Sequence, residues 1–158
     1  MCTLEKHGNL FILTLIGDDH EHRLGTHLIN SLLSALSQVN TQSINGSSAL
    51  ITVARGKFFC NGVEVPWGQL SARIRLHQMV ESFRSVVAAL LSLPIPTIAA
   101  VSGHARGGRL ALALDHDYVL IRRDRGFLYM SEVNLSLTLP DYFSALVRSK
   151  GVVTGRVV

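Results

Sequence analysis

Charged residues are scarce in this chain, 16% of its length against 47% hydrophobic, where soluble domains usually carry about 25%. So few charges cannot clothe a whole free-standing surface, and partner subunits or further chain are expected to cover part of it. Cysteine is scarcer still: Cys2 and Cys60 exclude a disulfide framework and point to a reducing compartment. The opening Met1-Cys2-Thr3-Leu4-Glu5-Lys6-His7 lacks the basic region and small-residue cleavage site of a secretory signal. No uninterrupted apolar run reaches membrane length, since the longest, Val86 to Val101, is broken by Ser92, Pro94 and Pro96. That excludes a transmembrane helix. Neither an internal repeat nor a low-complexity linker divides the sequence, so residues 1–158 are expected to form a single domain.

The charge that is present is slightly basic, with 15 Lys+Arg against 11 Asp+Glu and a net charge of +4. The cations are scattered, as in Arg73 and Arg75, in Arg122, Arg123 and Arg125, and in Arg148, Lys150 and Arg156. No aromatic-interleaved basic stripe accompanies them, which argues against nucleic acid. A small polyanionic ligand such as a phosphorylated cofactor suits the pattern at least as well.

Strand and helix patterns alternate along the chain. Leu10 to Ile16, Ala49 to Val53, Thr97 to Val101, Tyr118 to Ile121 and Phe127 to Met130 read as strands. Leu28, Leu32, Ala35, Leu36 and Val39 recur at helical spacing, with Thr26 as the expected N-cap. A second helix is expected from Ser71 to Leu93 on the face of Leu76, Val80, Phe83, Val87, Leu90 and Leu91, ended by Pro94. Thr97 to Val101 is read as running through Ser102-Gly103 into an apolar helix at Gly107 to Leu114. Pro140-Asp141 opens a last helix at Tyr142 to Arg148, which Gly151 can cap. Such alternation predicts an α/β fold with a mainly parallel sheet.

Two glycine-bearing segments follow buried strands. One is Gly56-Lys57-Phe58-Phe59-Cys60-Asn61-Gly62-Val63-Glu64, the other Val101-Ser102-Gly103-His104-Ala105-Arg106-Gly107-Gly108-Arg109-Leu110. Each alone is compatible with an ordinary tight turn. Together, at strand C-terminal ends and at a helix N-terminus, they suit a pair of backbone N–H groups aimed at one carbonyl oxygen. The second segment is not a P-loop, because Arg109-Leu110 stand where Lys and Ser/Thr are needed, and Ala105 breaks the dinucleotide fingerprint.

Lys57 to Glu64 resembles the "KAFCAGAD" stretch of the crotonase, or enoyl-CoA hydratase/isomerase, family, and Gly103 to Gly108 resembles its "GxAxGG" stretch. The likeness runs from about residue 8 to residue 150. His116-Asp117-Tyr118-Val119, Tyr129 to Val133 and Leu139 to Leu146 look like plant peroxisomal Δ3,Δ2-enoyl-CoA isomerases in particular. The resemblance implies a crotonase-like spiral of ββα units with its C-terminal helical part missing. It implies that the N–H groups of Val63 and Gly108 form an oxyanion hole, and that Asn61, Gly62, Val63, Gly107 and Gly108 line the substrate site. It further implies an acyl-CoA substrate, no cofactor beyond the coenzyme A of that substrate, and trimeric or hexameric assembly.

Glu132 matches the family glutamate that shuttles a proton between C2 and C4 of the acyl chain. Without the resemblance it would read as an exposed acid at a strand end. Hydratases of the family use a second glutamate three residues after the oxyanion glycine, a position held here by Ala111. An isomerase is therefore expected. The alternatives are an inactive, truncated homologue that binds acyl-CoA or partner subunits and, further off, a hydratase. The cluster Asp18-Asp19-His20-Glu21-His22 has no matching ligands elsewhere and is expected to be a solvated turn, so no metal is implied. His104, His116 and Ser102 do not make a serine hydrolase, for no Gly-x-Ser-x-Gly elbow is present.

Three departures from the family stand out. Arg109 follows the oxyanion glycine where the family usually has glycine, Glu64 replaces the common Asp, and the tail Gly151 to Val158 no longer resembles the family. That tail also lacks a Ser-Lys-Leu-like peroxisomal address. Location is thus expected to be peroxisomal by resemblance, and cytoplasmic otherwise.

Overall fold

A hairpin opens the chain, and its first strand is one that the sequence patterns missed. The computed structural model describes residues 1–16, 22–44, 47–56, 58–60, 71–106, 108–124, 128–129 and 138–150. In it β1 (Cys2–His7) pairs antiparallel with β2 (Leu10–Leu15). Gly8, at φ +61, supplies the left-handed residue that the tight connection requires. β1 escaped notice because Glu5, Lys6 and His7 leave it with little apolar signal, as befits an edge strand.

From β3 onward the chain repeats one unit: two strands, then a helix. β3 (Ala49–Ala54), β4 (Phe58–Cys60) and α2 (Ala72–Leu91) form the first. β5 (Thr97–Val101), β6 (His104–Arg106) and α3 (Gly108–Leu114) form the second. β7 (Tyr118–Ile121), β8 (Leu128–Tyr129) and α4 (Asp141–Lys150) form the third. The first strand of each unit joins a five-stranded sheet of order β1-β2-β3-β5-β7, parallel from β2 onward. The second strand of each joins a three-stranded parallel sheet of order β4-β6-β8. These are the ββα units that the resemblance implies.

α1 (Thr26–Gln42) buries Leu28, Ile29, Leu32, Ala35, Leu36 and Val39, the expected stripe with Ile29 added. Its N-cap is Gly25 with no side-chain bond, so Thr26 is the first helical residue and not the expected cap. In α2 the buried face is Phe83, Val86, Val87 and Leu90, while Leu91, expected inside, is 58% exposed. At 100° per residue Leu91 falls roughly 90° from the centre of that stripe. The expected direct run from β5 into α3 is likewise corrected, because His104–Arg106 makes a strand of its own. α4 begins one residue earlier than expected and ends two later, and Gly151 lies outside the described residues.

Polar residues inside the core tie the repeating units together. The Thr97 N–H and hydroxyl both donate to Asp117 Oδ2, at 2.8 and 3.0 Å, and the Asp117 N–H donates back to Thr97 Oγ1. His116 is fully buried between α3 and β7. Its Nδ1 lies 2.8 Å from the Leu112 carbonyl and its Nε2 2.7 Å from Thr52 Oγ1. A carbonyl only accepts, so Nδ1 carries the proton and Nε2 accepts from Thr52. Burial keeps this imidazole neutral, its pKa pushed down to about 4.

Candidate active site

The small sheet organises the site, because all three of its strands point the same way. Cys60 pairs with Ala105, and Ala105 with Leu128. The three strands therefore lie side by side, about 4.8 Å apart, with their C-terminal ends on the same side. β6 is the middle strand. In sequence, β4 is followed by Asn61, β6 by Gly107 and Gly108, and β8 by the run toward Glu132. Asn61, Gly62, Val63, Gly107 and Glu132 themselves lie outside the described residues, as does the side chain of Arg109.

The strand ends are firmly held. Phe59, Cys60 and Ala105 have no exposed surface, and the Phe58 ring rests 5.8 Å from that of His104. Cys60 Sγ donates to the carbonyl of His22 at 3.1 Å. Gly56, at φ +99, lets β3 turn sharply into β4, a conformation that a side chain would resist. The first glycine segment is thus a Gly56 turn followed by a buried strand, not one continuous loop. Gly108 is the first residue of α3, where backbone N–H groups have no partner within the helix and the helix dipole is positive. Such a group can donate to an oxygen that gains negative charge.

Ala111, the position of the hydratase glutamate, is buried beside Leu112 and Ala113 and brings no carboxylate. Asp115 does, but it follows the far end of α3, about 10 Å along the axis from Gly108. Sequence patterns had passed over Asp115 and Thr52. The signal available was a polar residue within an otherwise apolar run.

The other candidates resolve differently from one another. His22, expected in a solvated turn, is instead buried with Nε2 against the Arg55 carbonyl. Asp18, Asp19, His20 and Glu21 lie outside the described residues. Among the described residues no group of three His, Cys, Asp or Glu side chains is placed to hold a metal ion. Ser102 Oγ donates to the Ala54 carbonyl at 3.5 Å and both His116 nitrogens are occupied, so the two form no nucleophile–base pair. No helix among the described residues is long and apolar enough to cross a membrane.

Comparison with known proteins bears on the family and the fold. The model of the enoyl-CoA hydratase/isomerase family matches residues 5–149. Over 155 residues the chain is 60% identical to the peroxisomal enoyl-CoA delta isomerase 2 of Arabidopsis thaliana, covering 95% of this chain and 64% of that protein. Over 153 residues it is 58% identical to the same plant's enoyl-CoA delta isomerase 3, covering 95% and 63%. The chain thus spans a little under two thirds of the length of these curated relatives. Among solved structures, an enoyl-CoA hydratase/carnithine racemase from Magnetospirillum magneticum superposes with a TM-score of 0.81 at 21% identity, over 94% of this chain and 55% of that one. An enoyl-CoA hydratase from Polaromonas gives 0.79 at 23% identity, over 94% and 58%. At those identities the likeness speaks for the fold alone, a crotonase-like spiral. The matched family model and the closely similar plant sequences, taken with the repeated ββα units, identify the chain as a member of the enoyl-CoA hydratase/isomerase family.

Proposed function

We propose that this chain carries the active site of a Δ3,Δ2-enoyl-CoA isomerase, acting on unsaturated fatty acyl-CoA in β-oxidation. Glu132 removes a proton from C2 of the 3-enoyl thioester, the electrons spread into a dienolate, and the same carboxyl returns the proton at C4. The N–H groups of Val63 and Gly108 stabilise the charge gathered on the thioester oxygen. Asn61, Gly62 and Gly107 line the acyl-CoA site, and the reaction uses no cofactor beyond the coenzyme A of its substrate. The supporting observation is the small parallel sheet of β4, β6 and β8, whose strands come just before Asn61, Gly107 and the run toward Glu132 in the sequence. The apolar Ala111 favours isomerisation over hydration, since an alanine neither orients water nor exchanges a proton.

Conversion of 3-enoyl-CoA to 2-enoyl-CoA by the purified chain is the direct test. Glu132→Gln is expected to lower that rate by roughly 10²–10⁴-fold with an unchanged circular dichroism spectrum. An active Glu132→Gln protein would refute the assignment. Water addition to 2-enoyl-CoA is expected to be negligible, and brisk hydratase turnover would show that Ala111 is no bar.

A second reading rests on the share of the relatives' length that the chain spans, 64% of the first. In it the chain is an inactive homologue, within one domain of 1–158, that binds acyl-CoA or joins full-length subunits. Absence of turnover, together with co-elution with such subunits in size exclusion, would favour it. In either reading we place the protein in the peroxisome, because the 60%-identical relative is named peroxisomal, and in trimers or hexamers on the family resemblance alone. A fluorescent fusion that stays in the cytosol would oppose that placement.

A further inference from the structure

A carboxyl group with nowhere to put a charge sits where two helices meet. Asp115 follows α3 directly, its N–H bonded to the Ala111 carbonyl, and its side chain is 2% exposed. Neither carboxyl oxygen has a hydrogen-bond partner among the described residues. α4 packs against α3, bringing Phe143 and Leu146 into the same core as Ala111, Leu112 and Ala113. An ionised carboxylate there would be desolvated, unpaired, and set at the negative end of a helix dipole, three unfavourable conditions at once.

We propose that the proton on Asp115 is a latch, which keeps α4 docked on α3 while it is bound and loosens that helix when it leaves. The inference is independent of the acyl-CoA reading.

The groups that face this carboxyl fix where the latch works. From α4 come Lys150, whose Nζ donates to the adjacent His116 carbonyl at 3.1 Å, and Tyr142, whose hydroxyl donates to the Val80 carbonyl. Tyr142 also faces Glu81 and Arg84 of α2. His116 and Asp117 follow Asp115 in the chain. Burial pushes the Asp115 carboxyl from 3.8 up to about 8, and the charge of Lys150 opposes this only in part.

A raised acid stabilises the fold fully below 3.8 and loses that contribution as pH climbs through about 8. His116 runs the other way. Pushed down from 6.5 to about 4, it contributes fully above 6.5 and loses that contribution as pH falls through about 4. Between 4 and 6.5 the two largely cancel. From 6.5 to 8 Asp115 acts with little opposition, and Tyr142, pushed up to about 12, titrates far above that window.

The test is denaturant unfolding of the 158-residue chain at closely spaced pH values from 6 to 9, beside Asp115→Asn and Asp115→Ser. The folding equilibrium constant of the parent chain is expected to fall on the order of tenfold across that interval. The variants should show no such fall, and at most a rise of about fourfold from His116 between pH 6 and 7. Amide exchange, corrected for intrinsic rate, should show residues 141–150 opening more at pH 8 than at 6.5 in the parent chain, with β2 and β3 unaffected. If neither variant folds, the carboxyl ¹³C titration of Asp115 in the parent chain decides. Parallel stability profiles, an ordinary acidic Asp115 titration, or α4 protection indifferent to pH would each overturn the latch.

Discussion

Thr52 shows how much a single hydroxyl can matter when its partner cannot turn elsewhere. It stands in the apolar run Ala49–Ala54 and donates to His116 Nε2, whose other nitrogen is held by the Leu112 carbonyl. Valine has nearly the same shape and no proton to give. Thr52→Val is therefore expected to strand a buried acceptor and to destabilise the chain by about 1–3 kcal/mol, read as a shift in denaturation midpoint. It should also raise the pKa of His116 little, since burial is the main cause of its depression. No sequence pattern marked this pair, because a periodicity records which residues are apolar and not which polar residues answer each other from β3 and from the turn after α3. Asp117 was visible only as part of a family phrase. Its function in clasping Thr97 needed the strand pairing to be known.

Short elements were the hardest to read. The long helices α1 and α2 declare themselves over several turns, and their stripes match the buried faces apart from exposed Leu91, half-buried Leu76 and Val80, and the added Ile29 and Val86. β4, β6 and β8 are two or three residues long, too short for any alternation to register. They nevertheless precede the proposed site residues in the chain, so glycines and family phrases pointed to a candidate site while the small sheet beside it in sequence went unseen. The turn into that sheet is testable. Gly56 holds φ +99, and Gly56→Ala is expected to cost about 1–2 kcal/mol and to lower the unfolding midpoint, with little effect expected from an alanine at exposed, helical Ser34. Equal midpoints for the two variants would show that β4 does not depend on the turn.

Among the described residues the large sheet ends at β7, an edge strand on which Tyr118 and Leu120 are more than 60% exposed and Ile121 44%. This agrees with the thin charge cover and predicts dye binding and self-association at micromolar concentration. Leu120→Lys should reduce both, as followed by dye fluorescence and light scattering, without lowering the unfolding midpoint by more than about 0.5 kcal/mol. A monomer that binds no dye would contradict it. The alternation of strands between two sheets also has a kinetic side. Apart from the β1–β2 hairpin, every pairing among the described strands joins residues 20 or more positions apart: Leu10 must find Ala49, Leu50 must find Thr97, and Ile98 must find Tyr118. Each closure waits for a long intervening segment to lose its freedom before any contact compensates. Refolding should therefore run in milliseconds to seconds and not in microseconds. Until β5 docks, β3 and its apolar residues stay open to neighbouring chains, so the chain is most vulnerable to aggregation before its parallel strands have met.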